Sequence, residues 1–261
     1  MSALLRKYWV HPLARDVDID SADTISLHRE IILSKPILRS IYKKWYGKFL
    51  PSVKATRHLN LPMIEVGCGA SHLERYIPDV IKTDVVPHAN IDQVVDANQL
   101  PFADNSLRCI FVLNAFHHFD SPEKFLAEAE RCLAVGGRLV VTEPTNSVLQ
   151  KFMIHKFHPT EYYDEKVADW VNYKEGRLSQ ANNALPWIVF ERDRVKFESL
   201  FPRLKIISNR RHTLLFYFAS GGMSYRTFLP SVFLPLLHVT ELLNFLFPRL
   251  GTEMSIVIEK T

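Results

Sequence analysis

Cysteine is scarce in this chain. There are three in 261 residues, Cys68, Cys109 and Cys132, odd in number, far apart and forming no Cys-x-x-Cys pair. That excludes a disulfide framework, signals no zinc site and suits a reducing cytosol. Blocks of lysine or arginine are missing as well. With a net charge of +4 and a pI near 8.9, the expectation is a mildly basic solvated surface and not a nucleic-acid tract. The opening Met1-Ser2-Ala3-Leu4-Leu5-Arg6-Lys7 lacks the apolar core of a signal peptide. No internal repeat or low-complexity tract occurs. Nor is there an uninterrupted apolar run of the roughly 20 residues that span a bilayer. Residues 227–250 come nearest, but Pro230, Pro235, His238 and Glu241 break them. A cytoplasmic protein is the expectation, with 227–250 as its one candidate for membrane association.

What is present suits one α/β domain with insertions: 47% hydrophobic and 23% charged residues over this length allow a substantial core. Residues 1–27 read as irregular. Apolar residues from Ile31 to Phe49 recur at helical spacing, with Pro36 dividing them. Met63-Ile64-Glu65-Val66 is a strand that stops at Gly67-Cys68-Gly69-Ala70-Ser71. Glycine at 67 and 69 permits positive φ and close ligand approach, and a helix is expected to follow. Further strands are expected at 80–84, 93–96, 109–114, 138–143, 204–208 and 254–259, and helices from Ser121 to Gly136, Pro159 to Trp170 and Val189 to Leu200. Such alternation predicts a doubly wound, mostly parallel seven-stranded sheet. Asp84, Asp96, Asn114 and Glu143 would then line the same carboxyl edge as the glycine loop.

In that order the residues resemble the class I S-adenosylmethionine-dependent methyltransferases, in particular the type 11 group. The likeness rests on Glu65-Val66-Gly67-Cys68-Gly69, Asp84, Val95-Asp96-Ala97 with Leu100-Pro101-Phe102, Asn114 to Phe119, and Ala134 to Leu139. It implies S-adenosylmethionine as cofactor. Gly67, Cys68 and Gly69 would lie against its methionine part, Asp84 would accept from the ribose hydroxyls, Asp96 and Ala97 would meet adenine, and Asn114 the amino-acid end. Glu65 would orient the loop from beneath. Ser71 stands where many members carry a third glycine.

His118, with His117 and Glu143, is the candidate catalytic set, since a neutral imidazole can take a proton near neutral pH. Residues 1–60 are expected to form an N-terminal helical extension to a methyltransferase domain over 61–261. An insert at 144–204 would roof the acceptor, a small molecule or a lipid- or glycan-linked group, with Tyr162, Tyr163, Asn182, Asn183 and Trp187 in contact. His155 and His158 are too few to predict a metal. A non-catalytic cofactor-binding module and a nicotinamide oxidoreductase are the alternatives, the latter lacking its third glycine at His72. Segment 227–250 is expected to pack as core over the sheet, the alternative being a lipid- or membrane-facing surface.

Overall fold

The computed structural model describes residues 8–15, 17–21, 23–157, 161–172 and 181–261. Seven strands form one sheet in the order β3-β2-β1-β4-β5-β7-β6: β1 Met63–Val66, β2 Val80–Asp84, β3 Gln93–Val94, β4 Leu107–Leu113, β5 Leu133–Pro144, β6 Leu204–His212 and β7 Glu253–Lys260. The pairs among β1 to β5 are parallel, and β7 lies antiparallel to both β5 and β6. Strand alternation sorts the core into two layers. Ile110 and Val112 of β4 join Phe125, Leu126 and Phe190 on one face. Cys109, Phe111 and Leu113 join the helices α1 Asp23–Ser34 and α2 Pro36–Gly47 on the other. Lys35 and Pro36 make the break between those helices, proline opening α2 at the position where its missing N–H costs nothing. Beyond α2, α3 Leu50–Ala55 leads to the sheet.

Several expected elements differ. The glycine loop feeds no α-helix but a short 3-10 turn, Leu73–Arg75. The helix capped by Ser121, α4 Pro122–Cys132, ends four residues before Gly136. β5 begins at once, and the Gly136-Gly137 pair sits within it at a register shift against β4. There a Cβ on Gly137 would stand 2.8 Å from the Ala134 carbonyl oxygen. Residues 161–170 carry no helix, and Tyr162 instead bridges to Asn182. The helix lies earlier, as α5 Val148–Phe157. The 185–200 stretch is helical from Leu185, passing through a π turn at Ile188–Arg192 into α6 Arg194–Leu200.

The largest departure is 227–250. After α7 Phe216–Ser220, this segment forms α8 Leu234–Leu246. Leu237 and Asn244 are buried, while Leu236 is 58%, Val239 54%, Leu242 70% and Leu246 65% exposed. Helical spacing separates the two sets. Leu237, Glu241 and Asn244 form a narrow seam in which Glu241 accepts the Thr213 and Leu214 N–H groups and Asn244 donates to the Arg211 carbonyl. Leu236, Val239, Leu242, Leu243 and Leu246 face outward, so most of the described apolar surface of this helix is not core. No helix among the described residues is long and apolar enough to cross a membrane.

Candidate active site

The register aligns Val66 with Thr83 and Leu113 with Thr142, so the residues just past β1, β2 and β4 and the end of β5 meet on one edge. The glycine loop is fastened there to β2. Cys68 donates its N–H to the Thr83 carbonyl at 2.9 Å, and Gly69 donates to Asp84 Oδ2 at 2.8 Å. Asp84 Oδ1 accepts the Val86 N–H at 3.0 Å. Gly67 (φ +66°) and Gly69 (φ +45°) both occupy the left-handed region. A Cβ at Gly67 would meet the Ala115 Cβ at 2.8 Å, whereas at Gly69 it would meet nothing within 4 Å. Gly67 therefore serves packing and Gly69 leaves the cleft side open.

Beneath the loop, Glu65 is fully buried. Its Oε2 accepts the Ser71 hydroxyl at 2.9 Å, its Oε1 has no protein partner, and burial pushes the carboxyl up to about 8. Ser71 explains its own presence. The hydroxyl that glycine would lack also lies 3.0 Å from the Tyr46 hydroxyl and accepts the Leu73 N–H. Arg29 of α1 donates to the Ser71 carbonyl and pairs with Glu74. His72 is buried among Tyr42, Tyr46 and Tyr76, and burial holds its imidazole down to about 4, so it packs as a neutral ring.

A cavity of about 250 Å³ opens over this edge. Gly67 to Ser71, Asp84, Asn114 and His118 line it, together with residues the sequence did not single out: Ile25 and His28 of α1, Tyr42 of α2, Glu161, and Tyr217, Met223 and Ser224. Asn114, at φ +49°, has a buried Oδ1 with no protein partner. Asp96 and Ala97 lie outside the cavity lining, and Asp96 is exposed with Oδ1 accepting the Asn98 N–H. They sit one strand over, where the Val95 N–H reaches the Asp84 carbonyl.

Of the candidate catalytic set, His118 alone lines the cavity. Glu143 is fully buried beneath it. Its Oε1 accepts the Ala115 and Phe116 N–H groups, both at 2.7 Å, and its Oε2 lies 2.5 Å from His117 Nδ1. It positions the turn and does not face the cleft. His117 is buried behind His118, their rings 4.1 Å apart.

None of the five expected acceptor contacts lines the cavity. The Asn182 side chain accepts the Asp164 and Ala184 N–H groups and donates to the Asp164 carbonyl, and its backbone N–H reaches Asn172 Oδ1. Asn183 donates to Glu161 Oε2 at 2.8 Å, Tyr163 and Trp187 pack on the core, and Tyr162 is part-exposed. The polar types there shape a turn, which brings Glu161 to the cleft. His155 is exposed, and His158 lies outside the described residues.

Residues 64–141 match the family described as "Methyltransferase domain". A 64-residue stretch is 38% identical to the ubiquinone/menaquinone biosynthesis C-methyltransferase UbiE of Desulfotalea psychrophila, covering 23% of this chain and 26% of that protein. The chain thus spans about a quarter of the length of the curated relative it matches. Similar solved structures include a SAM-dependent methyltransferase from Thermotoga maritima, with TM-score 0.47 and 16% identity over 90% of this chain and all of that one. Another is the geranyl diphosphate C-methyltransferase of Streptomyces coelicolor, with TM-score 0.44 and 12% identity over 82% of this chain and 79% of that one.

Proposed function

From the premise that residues 64–141 are a class I S-adenosylmethionine-dependent methyltransferase domain, we propose that the chain binds S-adenosylmethionine in the cleft and methylates an apolar, lipid-like acceptor. The observation that carries the cofactor assignment is the cleft-facing polar set. The unpartnered Asn114 Oδ1 suits an ammonium group. Gly69 leaves room on the cleft side, and Asp84, whose oxygens each hold one N–H, keeps lone pairs for a diol. Asp96 and Ala97 are the proposed adenine contacts. When bound, S-adenosylmethionine supplies a methyl group already activated on a sulfonium. The protein's part is then to align the acceptor and exclude water. The Tyr42, Tyr217 and Met223 wall does the excluding, and His118 is the proposed base for a hydroxyl acceptor.

The acceptor class is supported by two features. A small apolar crevice lined by Met153, Phe157, Phe218 and Phe228 shares Tyr217, Met223 and Ser224 with the cleft. Beside it in sequence begins the exposed apolar stretch of Leu229, Val232 and Phe233 that leads into α8. We read α8 as an interfacial helix that takes the acceptor from a membrane surface, with Lys44, Lys48 and Arg210 nearby to favour anionic headgroups.

Calorimetry tests the cofactor assignment. Wild type should bind S-adenosylmethionine or its demethylated product, and Asp84→Ala should weaken that about 10- to 100-fold, as expected for hydrogen bonds to a charged group. Binding of NADH in place of S-adenosylmethionine would overturn it.

A further inference from the structure

Glu161 and the paired histidines have a use beyond acid–base chemistry. One ligand atom each from His117, His118 and Glu161 lies within 4.8 Å of the others. Two imidazoles and one carboxylate form the donor set of open-sided zinc and non-haem iron sites, with further coordination positions left for water or substrate.

The surroundings are those of a metal site. His117 Nδ1 is engaged by Glu143 at 2.5 Å, which leaves Nε2 as the nitrogen to bind a metal and raises its basicity. Glu143 in turn holds the Ala115 and Phe116 N–H groups, so the histidine turn is fixed from below. The Asn172 side chain donates to the His117 carbonyl at 2.7 Å. On the other side Glu161 is oriented by Asn183, beside a bridge in which Tyr162 donates its N–H to the Ala181 carbonyl and its own carbonyl accepts the Asn183 N–H. His117 and Glu161 are thus each aimed by a polar partner, Glu143 and Asn183, that does not itself line the cleft.

We propose that His117, His118 and Glu161 bind a divalent first-row transition metal, zinc or iron(II), at the acceptor end of the cleft. His118 and Glu161 line the cavity, so the remaining coordination positions would receive an oxygen of the acceptor and hold it for methylation. That orienting role rests on the proposed function; the metal site itself does not. A coordinated His118 cannot also take a proton, so the base role proposed above for His118 belongs to the metal-free protein alone.

The test uses the full chain, stripped with chelator and titrated with zinc alone. One equivalent should bind, and X-ray absorption at the zinc edge should count two imidazoles and a carboxylate. Cobalt(II) should give the visible d–d bands of a site with fewer than six ligands. Asn183→Ala should weaken zinc about 10- to 100-fold, the usual cost of losing an outer partner, and Glu161→Gln should weaken it further. A wild type that binds no stoichiometric zinc, or whose zinc shell contains sulfur or lacks nitrogen, overturns the site whatever the variants do. So does unchanged zinc affinity in folded Glu161→Gln. S-adenosylmethionine binding, measured separately without metal, tells failure of this site from failure of the methyltransferase assignment.

Discussion

Glu65 shows how much a single buried carboxyl can shape this molecule. Its folded pKa, about 8, lies above the ordinary 4.5 because burial penalises the charge more than Ser71, Lys82 and Arg29 relieve it. Between those values the folded chain holds a proton that the unfolded chain has released. Stability is therefore full below about pH 4.5 and falls as pH rises towards 8, by up to about 1.4 kcal/mol per pH unit. Glu65→Gln keeps a partner for Ser71 without the charge. Its melting temperature should gain on wild type steadily from pH 5 to pH 8, and a constant gap would refute the raised pKa. The glycines and Asp84 of this site could be picked out in the sequence because the backbone needs them at a strand end. Glu161 could not, because a lone acid among asparagines and tyrosines looks like any turn until Asn183 is seen to aim it.

Among elements, the strands were the easiest to foresee: their apolar runs end in Asp84, Asn114 and Glu143, and parallel pairing gathers those ends. Which way each end faces was not foreseeable. Glu143 turns inward because three hydrogen-bonding groups of the 115–117 turn reach it first. The expected roof residues lie off the cavity lining for the same kind of reason, the Asn182 Oδ1 being taken by the Asp164 and Ala184 N–H groups. For α8, the apolar composition of 227–250 led to the expectation of core, and the exposed face corrects it; periodicity says little about burial when nearly every position is apolar. The two faces give opposite predictions. Leu236→Lys and Leu242→Lys should leave stability within about 0.5 kcal/mol yet abolish co-sedimentation with vesicles containing phosphatidylglycerol. Leu237→Ala should cost about 2–5 kcal/mol and spare vesicle binding once folded. Retention on vesicles by the double lysine variant would remove the interfacial role.

At the scale of the whole molecule, the helices before residue 60 share a core with the sheet: Ile41, Trp45 and Phe49 pack with Met63, Cys109 and Phe111, the Phe49 and Phe111 rings stacked at 4.8 Å. A chain starting at residue 61 should therefore fail to give a cooperative thermal transition, and a sharp native-like melt would show the remainder to be self-sufficient. The doubly wound topology could be foreseen from element order, whereas the dependence of one sheet face on the first 60 residues could not, because an amphipathic helix does not name the surface it covers. The cysteines acquire a use from this layering. Cys68 sits in the glycine loop. Cys109 lies 3.2 Å from the Thr56 hydroxyl under the N-terminal layer, and Cys132 belongs to the opposite layer. All are buried, and burial raises each thiol, Cys132 to about 11. Cys109 and Cys132 cannot react with an alkylating reagent until their own layers open, whereas Cys68 lines the cleft. The chain thus carries two native clocks, one on each face of the sheet, and the order in which they are alkylated reads out which side of the molecule breathes first.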